Sequence, residues 1–199
     1  MFWLFFIPGM IMVAVIVTAI LLGNRDRKKE AKALEEKKKD LLESNPKQAV
    51  LGYLDEHKHI SEYTFIDLVI GKAKIDILYI SKKGIFLIYP LNNEGSISGI
   101  VNEENWLNKT HDEFVLKNPM FNNKRDIDII SNVSTLKTNL YSLTVFTRAS
   151  DINIIDINNE RNVVSLNTLK ETLDSYPDVI STDDLVIYYN NIVNASKED

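Results

Sequence analysis

Few residues in this chain bear chemistry, and their spacing narrows what they can do. Among 199 residues there are three histidines and no cysteine. His57 and His59 stand two apart, so on a helix they point to opposite sides and make a poor metal pair. His111 stands alone. Without cysteine the chain has no disulfide, no thiol nucleophile and no cysteine-ligated zinc or iron–sulfur site. Its seven glycines are scattered. No G-x-x-x-x-G-K-[ST] run exists to cradle a phosphate, which argues against nucleotide hydrolysis. No Ser-His-Asp grouping can be built from three imidazoles, two of them at a helix end. What is left is carboxylates and lysines, whose use depends on the elements that hold them.

Those elements can be read from punctuation and periodicity. Ser44-Asn45-Pro46 caps and opens a helix running to about His57, with Ala49, Val50, Tyr53 and Leu54 on its apolar face. Strand-like runs follow at Tyr63 to Ile70, Lys74 to Ile80, Gly84 to Leu91 and Ser96 to Val101. Turns are expected at Lys82-Lys83-Gly84 and at Asn92-Asn93-Glu94-Gly95. This reads as an antiparallel meander. Trp106 begins a looser stretch, with a short strand at Phe114 to Leu116. Asn118-Pro119 then opens a helix from about Phe121 to Leu140. Leu143 to Thr147 is a buried strand. Asp151 to Ile157 and Arg161 to Leu166 alternate like further strands. Leu166 to Leu173 and Thr182 to Val193 look helical, the latter with Asp183 and Asp184 at its start.

The amino-terminal region has a different character. Residues 1–24 carry no charged side chain. Phe2 to Leu22 meets the roughly 20 apolar residues that a helix needs to cross a bilayer. No positive residue precedes Phe2 and no A-x-A pattern precedes the charged stretch, so a transmembrane anchor is expected rather than a signal peptide. Residues 25–45 read as a charged helical stalk, with pairs such as Glu35 and Lys39 at i,i+4. Arg25, Arg27, Lys28, Lys29 and Lys32 place that side in the cytoplasm. The expected topology is single-pass, with the amino terminus outside and residues 46–199 forming one cytoplasmic domain.

Charge divides along the same line. Residues 24–40 hold eight Lys/Arg and five Asp/Glu, so the chain's net −5 leaves residues 41–199 with 15 Lys/Arg against 23 Asp/Glu, a net −8. An acidic domain is a poor partner for phosphate backbones, so nucleic acid is not the favoured ligand. Expected partners are the lipid bilayer and a protein within a membrane complex.

The ordered set of motifs resembles the nuclease-related domain, or NERD, family. The residues that carry the likeness are Ile75-Asp76 in KIDILYIS, then Lys83-Gly84-Ile85-Phe86-Leu87-Ile88, then Gly95-x-Ile97-x-Gly99, Trp106 and Asn118-Pro119. Family members read I-D-h-h-h-h-s, G-I-F-h-I-E-x-K-N, G-x-I-x-G, W and N-P-h-x-Q-N, where h is hydrophobic. The likeness spans roughly residues 46 to 175. It implies an α/β, restriction-endonuclease-like fold, a mixed sheet flanked by helices, here preceded by one transmembrane helix. A structure without the meander beside the Asn118-Pro119 helix would instead mark an unrelated accessory protein.

The resemblance also implies a chemistry. An Asp on one strand and a Glu on the next bind Mg²⁺ through oxygens. A Lys two positions beyond the Glu shares its strand face, and metal and Lys together activate water and stabilise the phosphate transition state. In this sequence only Asp76 matches. Tyr89 stands in place of the Glu, Leu91 in place of the Lys and Asn122 in place of the later Gln. The family's early acidic residue falls near Lys47 or Gln48. Pro90 removes a ladder donor and points to an edge or bulge. The expectation is a degenerate module without cofactor, acting as a membrane-tethered binding or scaffolding domain. The alternative is a Mg²⁺-dependent nuclease with a relocated site. Glu94 and Glu56 are the substitutes considered for it, and its mark would be a second carboxylate close to Asp76.

Overall fold

Asn45 and Pro46 start the first described helix as their types dictate. The Asn45 side-chain oxygen accepts from the Gln48 N–H at 3.3 Å, and Pro46 fills the first position, where no N–H is needed. This helix, α1, spans Pro46–His57. The computed structural model describes residues 29, 32, 44–57, 59, 61–135, 139–155 and 163–197. The expected membrane span and nearly all of the stalk lie outside the described residues. Among the described residues, no helix is long and apolar enough to cross a membrane. Leu42–Asp199 form one compact unit.

Five strands follow α1: β1 (Tyr63–Ile70), β2 (Ala73–Ser81), β3 (Gly84–Ile100), β4 (Asn105–Lys109) and β5 (Glu113–Lys117). Each pairs antiparallel with the next, which is the expected meander. β6 (Leu140–Ile155) then lies parallel to β3, and β7 (Val163–Ser165) lies parallel to β6. The result is a mixed seven-stranded sheet. Three further helices complete the order: α2 (Asn123–Ser134), α3 (Leu169–Ser175) and α4 (Thr182–Ala195).

Both faces of the sheet's first half are covered. Val50, Leu51 and Leu54 of α1, with Leu169 and Leu173 of α3, pack on Ile77, Phe86, Ile88 and Leu143. Ile130 of α2, with Leu185 and Ile192 of α4, packs on Ile75, Leu78, Ile85 and Leu87. Strands buried on two faces read as unbroken apolar runs, as Ile85-Phe86-Leu87-Ile88 does. The family-like fold class is α/β with a mixed sheet flanked by helices, as expected.

Four expectations need correction. Asn92-Asn93-Glu94-Gly95 is not a turn. β3 continues through it, with register shifts against β6 between Leu91 and Glu94 and between Gly95 and Ser96. The punctuation residues are spent on bulges, which accept residues that leave the ladder. Trp106 lies in β4, not in a loop. Its ring is buried and its Nε1–H donates to the Ile100 carbonyl at 2.9 Å. The helix after Asn118-Pro119 ends at Ser134, and Thr135 takes a positive φ of 61° that stops it. The run from Asp151 is the second half of β6 rather than a separate strand.

Candidate functional site

The motif residues meet where β2 and β3 part. The last pair between those strands is Ile77↔Ile88. Asp76 and Tyr89 are the next residues outward, so they face each other across the mouth of a fork. Pro90 follows at a point where β3 has run past its β2 partner and just before the first register shift. It therefore stands where β3 has no β2 partner, an edge-like place for a residue without an N–H.

The alternation of β2 and of its other neighbour, β1, slips at this level. Ala73 and Ile75 share a core with Leu78 and Ile80, whereas Ile77 packs on the opposite face. In β1, Tyr63 and Phe65 share that first core with Leu68 and Ile70. The slip falls at Asp67 and Asp76, which the pairs Ile66↔Ile77 and Leu68↔Ile75 bracket as cross-strand neighbours. Asp67 absorbs the distortion with a φ of 52°, a conformation that aspartate tolerates better than most residues. Two carboxylates directly opposite each other repel. The Lys47 ammonium, from the first turn of α1, answers both. It lies 2.9 Å from Asp76 Oδ1 and also contacts Asp67. The hydrogen bond to Asp67, then that to Asp76, hold the Lys47 ammonium above its ordinary lysine range.

Tyr89 is buried and takes part in a different group. Its hydroxyl donates to Asp126 Oδ2 at 3.1 Å. Asp126 is buried on α2, and its other oxygen lies 3.3 Å from the Arg125 guanidinium. Burial, and then the charge of Asp126, push the Tyr89 phenol well above its ordinary range. The family's glutamate position thus carries a neutral hydrogen-bond donor. Leu91 packs with Ile97, Trp106 and Phe146, so the lysine position is a core contact. Asn122 closes the 3₁₀ turn Pro119–Asn122.

Its neighbours hold the fold together. The Asn118 side chain donates to the carbonyls of Val101 at 2.7 Å and Glu103 at 2.5 Å and accepts from the Met120 N–H at 2.9 Å. Asn123 donates to Ser142 Oγ at 2.6 Å. Both asparagines lie in the run matched to N-P-h-x-Q-N, so that motif is structural here.

Neither proposed substitute reaches the fork. Glu94 lies beyond the first register shift and pairs with Arg148. Glu56 is at the far end of α1, about 13 Å along the helix from Lys47. There it lines a cavity of about 390 Å³ with His57, His59, Glu62, Tyr79 and Lys83. Polar groups of this cavity answer one another. Tyr79 Oη and the His59 N–H both donate to Glu62 Oε2 at 2.6 Å. Lys83 Nζ donates to the Tyr176 carbonyl at 2.8 Å, just past α3. His57 Nδ1 donates to the Tyr53 carbonyl at 2.7 Å. Among the described residues, no group of three or more His, Asp or Glu side chains could hold a metal ion.

The sequence reading missed three of these participants. Asp67, Lys47 as an ion partner and Asp126 are far apart in the chain, and nothing local marks them. One signal was present: the family's early acidic position is filled here by a cation, Lys47.

The phenols set a pH limit. Burial first, then Glu62, pushes Tyr79 up in the same way as Tyr89. A raised value favours the neutral form in the folded state. That contribution is complete below the ordinary value of 10.0 and is lost as pH rises through the folded values. The melting temperature is therefore expected to fall steadily above about pH 10. Tyr89→Phe should make that fall shallower. An unchanged slope in Tyr89→Phe would mean that this phenol is not held neutral by its surroundings.

The comparisons agree with the motif order. The family model of the nuclease-related domain, NERD, matches residues 30–147. That span takes in α1, the fork, β4, β5, α2 and the first half of β6. No curated protein and no solved structure matches the chain. With more than half of its length under that family model, the chain belongs to the nuclease-related domain family.

Proposed function

We propose that this NERD domain binds rather than cuts. In this reading it is a catalytically degenerate module with a restriction-endonuclease-like fold, anchored in the bilayer by residues 1–24. It faces the cytoplasm and docks a protein partner of a membrane complex. The observation that carries the reading is the Lys47 ammonium lying against both Asp67 and Asp76. A divalent cation in such a fold is held by carboxylate oxygens, and here a lysine supplies the compensating charge. Tyr89 offers a hydroxyl already committed to Asp126, and Leu91 can neither carry charge nor activate water. The residues do not fit Mg²⁺, so no cofactor is assigned. The acidic domain and the absence of charge in residues 1–24 support the rest.

One observation favours the other reading, a metal-dependent nuclease with a relocated centre. Asp67 is the second carboxylate next to Asp76 that such a centre would need. The two readings separate in one assay. The purified full chain is incubated with single- and double-stranded DNA and RNA in Mg²⁺ or Mn²⁺, beside Asp76→Ala and Asp67→Ala. The expected result is no cleavage above background in any of the three proteins. Cleavage by the parent that both variants lose would establish the relocated centre and end the degenerate reading.

A further inference from the structure

Among the described residues, β5 is an open edge of the sheet, paired only with β4. Two other edges are blunted. β1 is kinked by the positive φ of Asp67, and β7 is only three residues long. β5 has no proline, glycine or bulge, and it exposes Val115 at 67% and Phe114 at 45%. An unprotected apolar edge is a template for another strand.

The backbone phase of β5 can be worked out. Asn118 N–H donates to the Glu104 carbonyl at 2.8 Å, and Thr110 N–H donates to the Asp112 carbonyl at 3.1 Å. These bonds continue the β4–β5 register at either end. In an antiparallel ladder the bonded residues alternate. Even-numbered residues of β5 therefore bond to β4, and Glu113, Val115 and Lys117 turn their N–H and C=O groups outward.

That outward set is self-complementary. If a second strand of the same sequence pairs antiparallel about Val115, Val115 meets its own copy. Glu113 then meets Lys117, twice by symmetry. All three pairs are of the hydrogen-bonded kind, because all three residues point outward. On the other face, Phe114 meets Leu116. Opposite charges directly across strands are favourable, whereas a shifted register sets like charges together or leaves them unmatched. We propose that β5 is a homodimer edge: a second copy of this chain adds across Glu113–Lys117 about a two-fold axis at Val115, joining the two sheets. The contact is isologous, so it closes as a pair and does not propagate. It is independent of whether the fork is catalytic.

The absence of native cysteine makes the test clean. Val115→Cys places one thiol per copy on the axis. Hydrogen-bonded cross-strand residues have Cα atoms about 5.5 Å apart, within disulfide reach. Leu107→Cys, opposite Val115 on β4, is the control. Across the joined sheets its two copies would be about 14 Å apart, three strand spacings, and cannot bridge. The full chain in detergent micelles is oxidised and run on non-reducing gels. The Val115→Cys disulfide dimer is expected at least about ten-fold faster than that of Leu107→Cys. Adding Lys117→Glu should slow it about ten-fold, and adding Glu113→Lys as well should restore it. Val115→Pro removes an N–H that faces away from β4, so it should leave the melting temperature nearly unchanged while sedimentation shows loss of the dimer. Equal cross-linking at positions 107 and 115, or a rate indifferent to Lys117→Glu, would overturn the proposal. A strand of another protein on this edge would show itself as the first of those outcomes.

Discussion

Gly84→Val is expected to cost about 4 kcal/mol and to lower the melting temperature by roughly 10 °C. Gly84 has a φ of +146°, and a Cβ there would meet the Asn139 carbonyl oxygen at 2.6 Å and the Tyr141 ring at 2.7 Å. The oxygen is backbone, and it accepts from the Ile85 N–H at 3.0 Å, so it cannot give way without breaking the entry into β3. The preceding turn is also tied down. The Lys82 carbonyl accepts from Val179 at 2.8 Å and Ile180 at 2.9 Å, which leads the chain into α4. Both strain and overlap therefore act at one position. Gly71 separates them. Its φ is +56° and nothing lies within 4 Å of its Cβ position, so Gly71→Val should cost about 1 kcal/mol from backbone strain alone. Thermal melts of both variants check this. Equal losses would mean that the close approach of Asn139 and Tyr141 to Gly84 does not exist.

Local chemistry made much of the fold legible. Asn45-Pro46, the apolar strand runs, the Lys82-Lys83-Gly84 turn and the Asp183-Asp184 helix start all express preferences settled within a few residues. The failures occurred where a distant partner decided. Asn92 to Gly95 has turn composition, yet β6 alongside converts it into bulges. Trp106 follows a polar stretch that reads as loop, but its ring fills a core against Phe146 and Ile97. At the site, Asp76, Tyr89, Leu91 and Asn122 were found because a motif order aligned them. Asp67, and the role of Lys47 as its ion partner, were not, because they depend on a phase slip in two strands and on the entry angle of α1. Asp126 sits in a helix whose sequence gives no sign that one of its acids is buried.

Restoring the family's glutamate should not restore a metal site; Tyr89→Glu is expected to destabilise the domain by about 3–5 kcal/mol. The new carboxylate would be buried where Tyr89 is, and it would face Asp126 Oδ2, which the Tyr89 hydroxyl now satisfies from 3.1 Å. A hydrogen-bond donor becomes a second negative charge. Burial and the like charge both raise the carboxyl pKa of Glu at this position above the ordinary value of about 4.3. A raised carboxyl leaves stability intact below the ordinary value and removes it as pH rises through the folded one. The deficit of Tyr89→Glu relative to the parent should therefore be small near pH 4 and large at pH 7. Adding Leu91→Lys deepens it, because an ammonium would replace an apolar contact with Trp106 and Phe146. Mn²⁺ should recover neither variant, since Lys47 still lies against Asp76 and Asp67. Melting curves at both pH values, with and without Mn²⁺, check each step. A Tyr89→Glu protein as stable as the parent at pH 7, or one that Mn²⁺ stabilises strongly, would show that the fork still accepts a metal. In that case the loss of the glutamate would be a single reversible substitution. The expected outcome instead ties it to its surroundings: the Tyr89 hydroxyl satisfies Asp126, Leu91 packs with Trp106 and Phe146, and Lys47 answers Asp76 and Asp67.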